Sequence, residues 1–286
     1  MSETVYLNGS LVAPGDARIA ALDYGFLYGY GLFETMRAYE GNVFRLEGHL
    51  ERLARSAEKL GIAVDAATLR DAVMDTISAS GLSDARVRLT VSAGEGGAVP
   101  DPSTCREPTV LVVAVPYRPF PDEVYRRGFS AVVSPIRRNS MSPVSGMKTL
   151  NFLESMLARQ EARTAGADEA LLLNERGLLT EASTSNVFLV SGGSLRTPGL
   201  QCGVLPGITR EAVMELAAEA GVVVLECDIT LDELLAAEEA FLTNSVMEVM
   251  PLVAVDGKPL GSGAPGPVTR KVMVAYKEMV KRETGN

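Results

Sequence analysis

The sequence holds a single histidine, His49, among its 286 residues. A site built from several histidines around a metal is therefore excluded. No H-E-x-x-H is present, and a Ser-His-Asp triad would rest on His49 alone. Cysteine is nearly as scarce. Cys105, Cys202 and Cys227 form no C-x-x-C pair, which excludes a disulfide scaffold and predicts a reducing, cytoplasmic setting. No apolar run approaches the length of a membrane span, and the N-terminal MSETVYLNGS has neither a basic nor an apolar region, so neither a membrane anchor nor an export signal is expected. Basic residues are outnumbered 27 to 36, and a net charge of −9 repels phosphate backbones, which argues against a nucleic-acid partner. What is present is ordinary globular material, 47% hydrophobic and 22% charged, long enough for one large or two modest domains. An enzyme of this composition has to move protons with something other than histidine.

Strand and helix patterns alternate along the chain. Residues 3–12 and 42–46 read as short strands, with turn signals at Asn8-Gly9 and Gly41-Asn42. Leu46, Leu50, Leu53, Ala57 and Leu60 recur at helical spacing before Gly61, and Leu69, Val73 and Ile77 mark a second helix over 66–79. Residues 86–92 and 109–115 are strand-like. Pro116, Pro119 and Pro121 then crowd one stretch, and proline blocks ladder pairing, so a boundary is expected there. Beyond it the pattern predicts strands at 129–135, 169–174, 186–190, 222–227 and 239–243. Helices are expected at 149–165, 208–220 and 267–283, with a hairpin turn at Asp256-Gly257.

Six lysines occur, and five of them sit at helix ends, in a turn or on the last helix, where solvated charge is the ordinary reading. Lys148 differs, because it is the only charged residue from Asn139 to Leu153. A lysine in such a setting either snorkels its head to water or, if desolvated, becomes the neutral amine that forms Schiff bases. The residues of this stretch leave both open. Downstream, Glu181 opens E-A-S-T-S-N-V-F, and G-V-L-P-G-I-T-R at 203–210 runs into a helix at Ile208. Amides at a helix start together with the Thr209 hydroxyl suit an anion, although a plain capped loop has the same composition.

Taken in order, several segments resemble the class IV aminotransferases, the fold-type IV enzymes of pyridoxal 5′-phosphate (PLP). These are D-Y-G-F-L-Y-G-Y-G-L-F-E-T at 23–35, H-x-x-R-L at 49–53, K-T-L-N-F-L at 148–153, E-A-S-T-S-N-V-F at 181–188 with L-R-T at 195–197, L-P-G-I-T-R at 205–210, T-N-S-V-M-E-V-M-P at 243–251 and G-S-G-A-P-G-P-V-T-R at 261–270. The resemblance spans nearly the whole chain. It implies an α/β (α+β) fold with a small N-terminal α/β domain at 1–117, a linker at 118–127 and a larger C-terminal pseudo-barrel domain at 128–286. The cofactor would lie in the cleft between the domains, and the protein would be a homodimer.

Roles follow from the same resemblance. Lys148 matches the lysine that holds PLP as an internal aldimine and then serves as general base and acid. Glu181 matches the carboxylate facing the pyridine nitrogen. Arg52 matches the arginine on the phosphate, Ile208 and Thr209 the helix-start groups on the same phosphate, and Ser245 a hydroxyl completing that cup. His49, three residues before Arg52, is expected to support it. Tyr28, Phe33, Thr35 and Arg37 fall in the strand motif that lines the site. Arg86 and Arg88 share a strand face with Thr90. They are either solvated edge arginines or, for Arg88, a binder of a substrate carboxylate, with the Val246 and Met247 amides for another.

The family offers several reactions, and the implied function is a transaminase moving an amino group between an α-amino acid, of branched-chain or D type, and a 2-oxo acid. The alternative is 4-amino-4-deoxychorismate lyase, which releases pyruvate and 4-aminobenzoate. Thr35 and Asn244 stand where branched-chain enzymes usually have glycine, I-R-R-N at 136–139 is lyase-like, and Phe152 sits near a usual cofactor-bonded tyrosine. A non-catalytic homologue is disfavoured, since Lys148 and Glu181 are both present.

Overall fold

The computed structural model describes residues 4–285. Met1 to Glu3 and Asn286 lie outside them. So do the first residue of the strand expected at 3–12, the start of the segment read for an export signal, and the outermost residues of the two expected domains.

Two compact units form. The first comprises the chain up to Arg118, Met147–Asn151 and the residues from Val280 onward. Its sheet has the order β2-β1-β6-β5-β3-β4, antiparallel throughout, from β1 (Val5–Leu7), β2 (Ser10–Val12), β3 (Gly31–Tyr39), β4 (Asn42–Val43), β5 (Ala85–Ser92) and β6 (Thr109–Pro116). The expected strand at 3–12 is a hairpin turning at Asn8-Gly9, and 42–46 keeps only two strand residues because Leu46 already starts a helix. A short α1 (Tyr24–Tyr28) precedes β3. Two longer helices, α2 (Leu46–Leu60) and α3 (Ala66–Ser80), cover one sheet face. Alternation places Met36, Ala38, Val87, Leu89 and Val91 against Leu50, Leu53, Leu69 and Val73 of these helices. Each such fully buried large side chain is worth about 1.5–3 kcal/mol of transfer free energy. Gly61 stops α2 in the left-handed conformation (φ 65°), its amide returning to the Ala57 and Glu58 carbonyls.

Residues 147–151 run as a short extended piece beside β3. Phe33 N–H donates to the Lys148 carbonyl and Leu150 N–H to the Gly31 carbonyl, both at 2.9 Å, and Leu32 bridges Thr149. The expected helix 149–165 therefore begins only at Leu153: the backbone groups of 148–150 are already spent on β3. Gly31 permits the approach, since a Cβ there would stand 2.5 Å from the Val91 carbonyl oxygen and 2.8 Å from Leu150 Cδ1.

Pro119–Gly146 and Phe152–Met279 make the second unit. It opens with α4 (Asp122–Arg127), so the stretch 118–127 expected as a linker carries a helix. That helix has Asp122 and Glu123 at its start and Arg126 and Arg127 at its end, each sign suiting the local dipole. A curled mixed sheet follows in the order β12-β11-β10-β13-β14-β7-β8-β9, with β15 on β14. Its strands are β7 (Phe129–Arg138), β8 (Glu169–Asn174), β9 (Leu179–Ala182), β10 (Asn186–Ser191), β11 (Ser194–Pro198), β12 (Val224–Cys227), β13 (Glu239–Asn244), β14 (Glu248–Val255) and β15 (Lys258–Pro259). Helices α5 (Leu153–Thr164), α6 (Ile208–Glu219), α7 (Leu231–Leu235) and α8 (Pro267–Thr284) complete the fold. Short α7 and strands β9, β11, β14 and β15 were not separate elements in the sequence pattern; β8 to β10 are buried on both faces and show no alternation to read.

Candidate active site

In the first unit, one face of β3 and β5 gathers the expected substrate residues. Thr35 pairs with Arg88, Phe33 with Thr90 and Arg37 with Arg86 in antiparallel register, so these side chains share a face. The Arg88 guanidinium lies 3.9 Å from the Phe33 ring centroid, and Lys148 Nζ lies 4.6 Å from it. Arg88 Nε also donates to Thr90 Oγ1 at 3.3 Å. Burial and the neighbouring Arg86 charge lower the Arg88 pKa. Arg37 is sandwiched between Tyr39 (4.1 Å) and Tyr117 (3.8 Å). Tyr28 is not on this strand; it belongs to α1, is 44% exposed, and meets Tyr24 edge-on with centroids 4.8 Å apart.

The other face of β3 carries Glu34, fully buried among apolar neighbours. It accepts Arg52 Nε at 2.8 Å, Arg52 Nη2 at 2.5 Å and a hydrogen bond with His49 Nδ1 at 2.7 Å. His49 and Arg52, one turn apart on α2, thus converge on one carboxylate. Burial alone would raise the Glu34 pKa, but Arg52 and then His49 outweigh it and hold it at about 2. His49 is pushed below its usual range, first by burial, with the Arg52 and Lys148 charges adding to the effect against the pull of Glu34. Sequence reasoning assigned Glu34 no role. The signal was there: a carboxylate in phase with Leu32, Met36 and Ala38 on a buried strand face requires a partner.

In the second unit, Glu181 on β9 is nearly buried and held at both oxygens. Arg138 Nη2 donates to Oε1 at 3.0 Å and also to Ser155 Oγ at 3.0 Å, while Leu205 N–H donates to Oε2 at 3.1 Å. The Leu205 carbonyl in turn accepts Asn186 Nδ2 at 2.9 Å, so one residue ties Glu181 to β10 and fixes the loop that leads into α6. Neither Arg138 nor Asn186 was singled out from the sequence as a support. At the start of α6, Gly207 is extended (φ −75°, ψ 137°) and no side chain caps the helix. The first amides of a helix have no partner within it. Here they stand beside the buried Thr209 hydroxyl, which is 3.5 Å from the Tyr276 hydroxyl. A Cβ on Gly207 would fall 2.0 Å from Asn186 Oδ1, so any other residue here would displace Asn186 or the loop. Ile208 is buried beside Thr209, and Ser245 lies in the turn between β13 and β14. The Val246 and Met247 amides of that turn both donate to Asn244 Oδ1. Phe152, which has no hydroxyl, precedes α5.

Each unit offers chemistry that suits a phosphorylated pyridine aldehyde: a lysine amine in the first, and in the second a near-buried carboxylate and an uncapped helix start with a hydroxyl beside it. Two hydroxyls next to the β10–β13 pairing, Ser185 Oγ and Thr243 Oγ1, are buried with no hydrogen-bond partner among the described residues, the condition of groups that receive a ligand or water. Among the described residues no cluster of three or more His, Cys, Asp or Glu could hold a metal, and no helix is long and apolar enough to cross a membrane.

The family model for amino-transferase class IV matches residues 31–255. The chain is 37% identical to a putative branched-chain-amino-acid aminotransferase of Methanocaldococcus jannaschii, over 96% of each chain. It is 34% identical to an aminodeoxychorismate lyase of Bacillus subtilis, over 97% of this chain and 94% of the relative. With a D-alanine aminotransferase of Bacillus licheniformis it shares 32%, over 98% of both. The crystal structure of the branched-chain amino acid aminotransferase of Escherichia coli superposes with a TM-score of 0.93 at 31% identity, covering 99% of this chain and 96% of that one. The chain therefore belongs to the class IV aminotransferase family. It is an enzyme of a family whose members use PLP and which includes both transferases and lyases.

Proposed function

We propose that the protein is a PLP-dependent transaminase that moves an amino group between an α-amino acid and a 2-oxo acid, with Lys148 as its catalytic residue. The observation that carries this is the setting of Lys148: its backbone is pinned to β3 at Gly31 and Phe33, and its Nζ stands over Phe33 beside the carboxylate-binding chemistry of Arg88. The relatives named as branched-chain aminotransferases support transamination over other reactions.

When bound, PLP supplies an aldehyde and an electron-accepting ring. Lys148 Nζ would hold it and would serve as the general base and acid that moves the substrate α-proton. Glu181 would face the ring nitrogen and hold a proton there, its carboxylate oriented by the Arg138 and Leu205 contacts. Arg52, Ile208, Thr209 and Ser245 bind the phosphate, with Glu34 and His49 fixing the fork of Arg52. Arg88 takes one substrate carboxylate, and the Val246 and Met247 amides take another. Phe33, Thr35 and Arg37 shape the remaining wall, and Tyr28 approaches from α1. A homodimer in a reducing, cytoplasmic setting belongs to the same proposal; the three free cysteines support the setting, and light scattering checks the dimer.

Aminodeoxychorismate lyase activity is a second reading. It is favoured by the Thr35 hydroxyl opposite Arg88 and by the lyase relative at 34% identity. Incubation with leucine or D-alanine plus 2-oxoglutarate, and separately with aminodeoxychorismate, decides between them. Keto acid formed only with an acceptor supports the transaminase. Pyruvate and 4-aminobenzoate released without an acceptor overturn it in favour of the lyase.

A further inference from the structure

The turn joining β13 to β14 is closed from within by Asn244. Its Oδ1 accepts Val246 N–H at 2.9 Å and Met247 N–H at 2.8 Å, and its Nδ2 donates to the Thr184 carbonyl at 3.1 Å. The side-chain amide is held at both ends, so its oxygen is fixed on the amide pair. Successive backbone amides aimed at one point form an anion-binding concavity, and a carboxylate oxygen is a stronger acceptor there than a neutral amide oxygen. The turn itself is stiff. Asn244 opposite Glu248 is its last strand pair, Glu248 is buried in the left-handed conformation (φ 62°), and Tyr125 donates its hydroxyl to the Met247 carbonyl at 3.1 Å. A ligand carboxylate that uses these amides must come to the point where Asn244 Oδ1 stands.

We propose that Asn244 is a specificity-determining residue: its side-chain oxygen competes for the Val246–Met247 amide pair, and a substrate carboxylate reaches the pair only by displacing it. This rests on the reading that these amides receive a substrate carboxylate. Displacement breaks two hydrogen bonds to the amides and forms charge-assisted ones in their place. Simple aliphatic monocarboxylates, which have no second anion to anchor them, are weakened most. The enzyme is therefore biased against carboxylates whose only anchor is this amide pair.

The test uses holoenzyme titrated by isothermal calorimetry with 4-methylvalerate, an unreactive aliphatic monocarboxylate, and crystals of the Asn244→Ala holoenzyme soaked with the same acid. Asn244→Ala removes the competitor and is expected to bind about tenfold tighter, the worth of one to two hydrogen bonds. Asn244→Asp places a charged acceptor on the amides and is expected to bind more weakly than the parent. A turn that is merely damaged weakens binding in both variants, and Asn244→Ala binding no tighter than the parent overturns the competition. In the crystals the ligand carboxylate is expected on the Val246 and Met247 amides. A carboxylate seated elsewhere overturns the subsite reading itself, whereas one seated on the amides without any gain in affinity overturns only the role of Asn244.

Discussion

Glu34 grips Arg52 through two parallel hydrogen bonds, from Nε at 2.8 Å and Nη2 at 2.5 Å, inside the core between β3 and α2. Removing one partner of such a pair leaves an uncompensated buried charge. Glu34→Ala is expected to cost about 3–5 kcal/mol in urea unfolding, while a surface pair such as Arg55–Glu51 is worth about 0–1 kcal/mol when broken. If Arg52 holds the phosphate, the same variant also binds PLP more weakly, read from cofactor absorbance on dialysis.

The same cluster sets the response to acid. His49 has a lowered folded pKa, so it favours the folded state above its unfolded value and penalises it as pH falls below about 6.5. Glu34, lowered from 4.5 to about 2, contributes stability that is complete above 4.5 and is lost as pH falls toward 2. Both act in one direction. Chemical denaturation is expected to show stability falling from pH 7 to pH 3, with the Glu34 share on the order of 2 kcal/mol over that range. In His49→Gln the part of the loss that begins near pH 6.5 should disappear; its persistence there would assign that part to other groups.

Lys148→Ala removes the amine that is proposed to carry the chemistry. Borohydride, which reduces an aldimine to a stable secondary amine, should fix the phosphopyridoxyl group on the Lys148 peptide of the parent and leave none bound after dialysis in the variant, and the rate should fall by about 10²–10⁴-fold, the usual worth of a general acid–base group. Labelling of another lysine in the parent protein would refute the assignment.

Gly207→Ala places a methyl group 2.0 Å from Asn186 Oδ1. The loop or Asn186 must move, at about 1–3 kcal/mol, and the helix start moves with it. Reduced PLP affinity is expected together with a lower unfolding midpoint. Gly15→Ala, with nothing within 4 Å of the added carbon, serves as the control and should change stability by less than about 0.5 kcal/mol.

Local patterns carried much of the fold into the sequence. The apolar spacing from Leu46 to Leu60 and the glycine after it define α2 to the residue, and Ile208 is where α6 starts. The stretch after Lys148 misleads because Leu150 and Leu153 are spaced as on a helix, whereas the Lys148 carbonyl and the Leu150 amide are taken by hydrogen bonds to a strand more than a hundred residues earlier. Tyr28 was expected on that strand's motif, but the Asp23 side chain caps α1 by accepting Gly25 N–H, and Tyr28 stays helical. The residues that could do chemistry were legible as types in a familiar order. Their supports were not: that Arg52 answers the buried Glu34 and Arg138 holds Glu181 are tertiary pairings, and the Asn244 bonds to the Val246 and Met247 amides, though local, belong to a turn that the sequence pattern did not mark.

The piece Met147–Asn151 and the residues from Val280 onward belong to the first unit, although most of that unit is complete in sequence by Arg118. Arg45 waits for Glu283 and Asn42 for the Thr284 carbonyl. During synthesis, therefore, the first unit to emerge from the ribosome is the last to be finished. Its β3 edge stays open until Lys148 arrives, and the contacts of Glu283 and Thr284 form only after the second unit has been made. The first unit is thus completed out of its order in the sequence, and the lysine proposed to carry the chemistry is set in place by a strand made long before it.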